Sequence, residues 1–316
     1  MEERMMNIKH VSLHEVGPRE GCQFEGMDQP DKISTQQKVE LVDALSHTGL
    51  RKIQVTSFVN PKQVPQMGDA DELSAMIKPV PGVSYDAVYL NDKGLERAIA
   101  AGIYQIDGHI SLTASETFSK VNQHRDTAAD IEMQRKQLAL YAAHGIAVHS
   151  GTLMAAFGCN YEGDISLARV IECVTIMQDL ATEFDTELHD VLLADTMGWA
   201  DPQQMKHVIT AVRDHWPDMT VSLHLHDTRG TGMANVYAAM EVGVTDFDSS
   251  IGGLGGCPFA KAVAGNVATE DIVFMCDRMG IDTGIDLEKL VEVVRLAEKI
   301  VGHPLPGKLA HVFAAA

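Results

Sequence analysis

The chain is 316 residues long, 45% hydrophobic and 22% charged, which is ample for a large core, and its formal net charge is −19. So acidic a balance disfavours nucleic acid or an anionic membrane surface as the main partner, while a local basic pocket leaves anionic small molecules open. The five cysteines form no C-x-x-C pair, residues 1–10 hold no apolar signal core, and no apolar run is long enough to span a bilayer. A soluble, cytoplasmic protein with reduced thiols is therefore expected.

Taken in chain order, β-branched or apolar runs predict strands over 11–16, 52–58, 84–90, 105–111, 147–153, 191–194, 220–225 and 246–249. Between them, apolar residues at helical spacing predict helices over 35–46, 94–101, 128–143, 166–181, 202–216, 233–242 and 267–279. Asp201-Pro202 opens one of these helices, and Gly102, Gly145, Gly243 and Gly280 follow the ends of others. Eight strands in alternation with helices imply a parallel sheet, and at this length a closed (β/α)8 TIM barrel. The expectation is one domain over 1–316, with 286–301 as an extra C-terminal helix. A doubly wound open sheet is disfavoured because no G-x-G-x-x-G turn follows the first strand.

On the strand 220–225, His224 and His226 stand two residues apart and point the same way at the strand's end. Two imidazoles there can bind one divalent metal. Alternatively one is solvated and the other is satisfied by hydrogen bonds, and the His-x-His pattern alone leaves both readings open. In a barrel, active sites gather at the C-terminal ends of the strands. Polar residues collect at those ends: Arg19, Glu20 and Gln23 after strand one, Gln54 on strand two, Asp195 after strand six, His224, His226 and Asp227 after strand seven. A glycine-rich segment with Cys257, then Asn266, follows strand eight. Singly each has an ordinary explanation: a surface ion pair, a helix cap, a small buried thiol. Their joint location on one rim points to function.

The stretches VGPREGCQ, TSFVNPKQVPQMGDADE, GCNYEGDIS, ADTMG, HLHDTRGTGMANVYAAMEVGVTDFDSSIGGLGGCPFA and GNVATEDIVFM run from Val16 to Met275. Through them the chain resembles the hydroxymethylglutaryl-CoA lyases, within the barrel superfamily of metal-dependent acyl lyases and synthases. The resemblance implies retro-Claisen cleavage of a 3-hydroxy-3-methylacyl-CoA, giving acetyl-CoA and acetoacetate from 3-hydroxy-3-methylglutaryl-CoA, by a homodimer. It implies Glu20, His224, His226 and Asn266 as ligands of a divalent metal. Two nitrogens and two hard oxygens suit magnesium or manganese, with zinc or cobalt also able to bind. It implies Arg19 as the cation that stabilises an enolate oxygen, and Cys257 as a mobile-loop thiol and candidate acid. Asp195 and Glu270 match polar residues in or near the family's site; Asp195, or a neighbour of a ligand histidine, is a candidate base. Gln23, Lys62 and Lys120 are candidate contacts for coenzyme A, which enters as part of the substrate.

Three positions depart from the lyase pattern. Glu20 stands where aspartate is usual, although related synthases carry R-E-G there; Gln54 stands where glutamate is usual; Phe24 stands where asparagine is usual. Gln54 removes a negative charge near Arg19, so a differently placed substrate carboxylate, as in citramalyl-CoA, is an alternative, as is a branched long-chain analogue. A condensing synthase is a further alternative, disfavoured because such enzymes usually carry extra C-terminal domains whereas this sequence ends soon after Val301. A catalytically inactive barrel serving as a binding subunit gains weight from Gln54 and loses it to the intact set Arg19, Glu20, His224, His226, Asn266 and Cys257.

Overall fold

The computed structural model describes residues 8–256 and 265–313. In chain order the elements are β1 (Ser12–Glu15), α1 (Gly17–Glu25), α2 (Thr35–Ser46), β2 (Lys52–Ser57), α3 (Ala70–Met76), β3 (Ser84–Val88) and α4 (Asp92–Ala101). There follow β4 (Gly108–Thr113), α5 (Glu116–Gln123), α6 (Thr127–Ala143), β5 (Val148–Met154), α7 (Leu167–Glu183), β6 (Asp190–Asp195), α8 (Pro202–His215), β7 (Thr220–Leu225) and α9 (Gly232–Glu241). Last come β8 (Asp246–Ser249), α10 (Thr269–Met279), α11 (Leu287–Val301) and α12 (Leu309–Phe313). A two-residue hairpin, Gly158–Cys159 with Gly163–Asp164, projects after β5. The chain forms two compact units, one running Asp107–Asp246, the other made of Lys9–Ile106 and the segment from Phe247 onward.

In the first of these units β4, β5, β6 and β7 lie in that order, each parallel to the next. Its strands alternate as period two requires. Val191 and Leu193 on β6, and Val221, Leu223 and Leu225 on β7, are fully buried, while Ser222 and His224 take the other face. α7 packs on β4 and β5 with Val170, Cys173, Val174 and Met177 buried. Gly151 on β5 makes room for it: a Cβ there would stand 3.0 Å from the Met177 sulfur. Each such buried aliphatic side chain contributes about 1.5–3 kcal/mol.

In the other unit the order is β3-β2-β1-β8. The extra C-terminal helix, α11, belongs here and packs on α2, burying Leu290, Val291, Val294, Ala297 and Val301. Asp286 starts it, its side chain accepting from the Lys289 backbone N–H at 3.2 Å. The Asp286 N–H itself bonds to the Thr48 carbonyl at 2.7 Å, tying the helix start to the end of α2.

All eight expected strands form, with shifted ends. The fourth starts at Gly108 rather than 105, because Gln105 N–H turns aside to the Tyr85 carbonyl and the ladder to β5 opens only with Gly108. Helices α1, α3, α5 and α12 were not expected from periodicity. α1 hides behind its glycines: Gly17-Pro18-Arg19-Glu20-Gly21 reads as a loop, yet proline in a first turn costs nothing because the N–H there is unbonded anyway.

Candidate active site

The two histidines expected as nitrogen ligands come from one strand. At the end of β7, Nε2 of His224 and Nε2 of His226 lie 3.2 Å apart, with ring centroids 5.2 Å apart. His226 is buried and His224 partly so. Asp195, at the end of β6, is fully buried, and its two oxygens accept from the backbone N–H groups of Trp199 (2.7 Å) and Ala200 (3.0 Å). Burial pushes this carboxyl up from its usual range, against those two bonds and the nearby His226 and Arg229. Arg229 carries no signal in the sequence beyond its place in the turn before Gly230. It donates to the carbonyls of Met197 (2.6 Å) and Gly198 (3.0 Å) and to Oδ1 of Asn160 (2.9 Å), with its guanidinium 4.7 Å from the centre of the Trp199 ring. It thus braces the loop that Asp195 holds from below.

The residues expected as oxygen ligands and as the cation are assembled from distant parts of the other unit. Glu15, the last residue of β1, is buried and organises them. Its Oε1 accepts from the N–H groups of Gly17 (2.8 Å) and Ile251 (2.9 Å), and its Oε2 from the Thr269 hydroxyl (2.6 Å). Burial outweighs these bonds and pushes its carboxyl up to about 7. Glu15 thereby fixes the start of α1, from which Arg19 and Glu20 project. Arg19 Nε donates to Gln54 Oε1 at 2.5 Å, and its Nη2 pairs with Glu20 Oε2 at 3.1 Å. Glu20 Oε1 in turn accepts from Asn266 Nδ2 at 3.0 Å.

Asn266 is 2% exposed, and its Oδ1 is buried with no hydrogen-bond partner among the described residues. An amide that gives its NH2 to a carboxylate and leaves its oxygen bare is oriented as one is to serve a cation, since a bare buried acceptor costs about 1–3 kcal/mol unless something binds it. Gly255 lets the chain pass close by: its φ is +102°, and a Cβ there would come within 3.3 Å of Asn266 Nδ2. The donor set of two imidazoles, one carboxylate and one amide oxygen fits a divalent metal.

The remaining expected residues fall differently. Glu270 is buried beside the Gly252 loop, its Oε2 accepting from Gly252 N–H at 2.9 Å, and burial pushes it up to about 8. Gln23 is partly buried on α1, and its carbonyl accepts from Gln66 Nε2 at 2.8 Å. Lys62 is exposed, and Lys120 is exposed and paired with Glu116 at 2.5 Å. Phe24 stands where its ring would meet a Cβ on Gly256 at 2.7 Å, so it packs against the root of the glycine-rich segment. Cys257 lies outside the described residues. Cys22, one turn beyond Arg19, is buried, with its thiol pushed up to about 12.

Residues 10–297 match the family model described as HMGL-like. A hydroxymethylglutaryl-CoA lyase of Bacillus subtilis is 38% identical over 96% of this chain and 98% of its own length. The mitochondrial hydroxymethylglutaryl-CoA lyase of Homo sapiens is 40% identical over 90% of this chain and 83% of its own. Among solved structures, the hydroxymethylglutaryl-CoA lyase of Pseudomonas aeruginosa superposes with a TM-score of 0.87 at 35% identity, covering 98% of this chain and 99% of that one. An HMG-CoA lyase of Acinetobacter baumannii, in complex with coenzyme A and 3-methylmalate, gives 0.83 at 34% identity over 98% and 96%. The fold class is accordingly the (β/α)8 TIM barrel expected from the sequence. On the family match and on relatives this similar over most of their length, the chain belongs to the HMGL-like family of carbon–carbon lyases.

Proposed function

We propose that this chain is a divalent-metal-dependent acyl-CoA lyase that cleaves 3-hydroxy-3-methylglutaryl-CoA to acetyl-CoA and acetoacetate, its two units acting as one lyase domain. Glu20, His224 and His226 would hold the metal, with Asn266, bonded to Glu20, as the fourth ligand. The observation that carries the reading is the run Gln54–Arg19–Glu20–Asn266, which ends in a buried, bare amide oxygen. When bound, magnesium or manganese supplies a Lewis acid that lowers the pKa of the substrate's 3-hydroxyl. Asp195 is assigned as acceptor of that proton: burial has already raised its affinity for one. Arg19 donates to the thioester oxygen, on which negative charge gathers as the C2–C3 bond breaks. Cys257 is assigned as the donor that returns a proton to C2. Gln23 and, at the phosphates, Lys62 and Lys120 would contact coenzyme A, Lys120 after releasing Glu116. Glu270 would hold the turn at Gly252, whose N–H it accepts. The protein is further proposed to act as a homodimer in the cytoplasm; among the described residues no helix is long and apolar enough to cross a membrane.

A second reading, the same chemistry on a shorter dicarboxylic acyl-CoA such as citramalyl-CoA, is favoured by the neutral Gln54 beside Arg19. One assay series decides between them. Protein stripped with a chelator and reloaded with magnesium or manganese is given each thioester, and acetyl-CoA release is followed. Metal-dependent turnover of hydroxymethylglutaryl-CoA above the others is expected. Turnover by the stripped protein overturns the metal-lyase assignment, and preference for citramalyl-CoA moves it to the second reading.

A further inference from the structure

Within the unit Asp107–Asp246, the hairpin after β5 has no part in the proposed reaction, yet three of its residues reach the turn 195–200 and its neighbour Arg229. Gly158 lies against the Trp199 indole, where any Cβ would collide with the ring. Asp164 Oδ1 accepts from the indole Nε1–H at 2.6 Å. Asn160 Oδ1 accepts from Arg229 Nη2 at 2.9 Å, and the Arg229 guanidinium lies 4.7 Å from the centre of the same indole ring. The hairpin is itself anchored on the start of α5. Cys159 Sγ donates to Ser115 Oγ at 3.1 Å, the Glu162 carboxylate accepts from Thr117 N–H at 2.6 Å, and the Tyr161 and Phe118 rings stack with centroids 6.3 Å apart. Its root is strained: Ala155 takes a left-handed φ of 52°, and its N–H is held by the Thr196 hydroxyl at 2.9 Å.

Two carbonyls of the turn, those of Met197 and Gly198, accept from Arg229 Nη1. The next two N–H groups, of Trp199 and Ala200, donate to Asp195. Each Asp195 oxygen uses one lone pair in this way and keeps the other. Where the free lone pairs point is therefore set by the backbone of Trp199 and Ala200. We infer that Arg229 and Trp199 are positioning residues for Asp195: the hairpin seats the indole, the indole seats the guanidinium, and the guanidinium fixes the turn whose N–H groups aim the carboxyl. A planar fork suits this place, since one Nη reaches both carbonyls, the other reaches Asn160, and the face lies over the ring. The far end of the turn is secured separately, the Ala200 carbonyl accepting from Thr231 at 3.2 Å and Asn235 Nδ2 at 2.9 Å. Loss of Arg229 would thus loosen the middle of the turn without unfolding it. The inference rests on the proposed role of Asp195 as acceptor of the substrate's hydroxyl proton.

The test compares Arg229→Met, Asp195→Asn, their double variant and two Asp164 variants in the full chain with metal. In Arg229→Met, kcat falls about 10- to 100-fold with KM within about threefold, as expected of a displaced catalytic group, and bound metal is retained. The double variant is no slower than Asp195→Asn alone, because a guanidinium that acts through the carboxyl then has nothing left to aim. Asp164→Ala releases the indole from its other side and lowers kcat by a smaller factor; Asp164→Asn, whose Oδ1 still accepts from Nε1–H, restores it. Fluorescence reads the clamp without turnover. Trp216→Phe leaves Trp199 as the sole tryptophan, and adding Arg229→Met shifts its emission to the red and raises its quenching by acrylamide. Unchanged kcat or unchanged Trp199 emission in Arg229→Met overturns the inference. So do losses that multiply in the double variant, or loss of metal from Arg229→Met, which would place its effect at His226. Full activity in Asp195→Asn instead overturns the proposed role of Asp195, whereas full activity in Arg229→Met beside a slow Asp195→Asn overturns the positioning role alone.

Discussion

The unit built on β4–β7 and the unit built on β3-β2-β1-β8 offer the proposed metal ligands in opposite ways. The first sets His224 and His226 two residues apart on one strand, so their convergence follows from the pleat. The second joins Glu20 to Asn266 across 246 residues of sequence, through a helix start pinned by Glu15 and a loop that passes close at Gly255. Local geometry makes the nitrogen pair; tertiary structure makes the oxygen pair. The first depends on one strand, the second on every bond that holds its loops.

The largest expected effect breaks the nitrogen pair. His226→Ala should lose the bound metal and lower kcat on the order of 10³-fold or more, with its melting temperature little changed. Metal analysis and steady-state assays check both. Asn266→Ala should weaken metal binding on the order of 10²-fold, read by titration against a competing chelator. If it also frees Glu20, its melting temperature should change, which would mark the oxygen pair as the more structural of the two.

A third prediction concerns the buried carboxyls that hold the oxygen side together. Glu15 and Glu270 titrate near 7 and 8 in the folded chain, against an ordinary value of 4.5. Between pH 4.5 and about 8 the folded state therefore keeps protons that the unfolded state has released, and stability falls as pH rises. His14, which burial opposes but Asp86 and Asp248 raise to about 9, adds a loss in the same direction at the upper end of the range. Denaturant titrations should show a decline on the order of a few kcal/mol from pH 5 to 9, and Glu270→Gln should flatten its middle. The smallest effect is far from either ligand pair: Asp286→Ala removes the cap of α11 and should cost about 1 kcal/mol with kcat unchanged.

The same contrast governs what the sequence made legible. β-branched and apolar runs exposed all eight strands, and the period of two gave the common direction of His224 and His226. α1 was hidden, because its glycines and Pro18 look like a turn when the bonds from Glu15 are not visible. Arg229 was hidden because its partners, Met197, Gly198 and Asn160, are carbonyls and an amide far along the chain. Glu20 and Asn266 entered through resemblance to known lyases; no spacing rule links positions 246 residues apart.

Glu15 also sets an order of events. Its partners Gly17, Ile251 and Thr269 lie 2, 236 and 254 residues away, so a ribosome must make nearly the whole chain before this carboxylate can be enclosed. Until then it remains hydrated and ionised, and α1 has no anchor. The run Asp107–Asp246 needs no such wait, being continuous. Vectorial synthesis would then finish the imidazole pair first and the oxygen pair last, and the nascent protein gains its chemistry only when its final segment returns to its first strand.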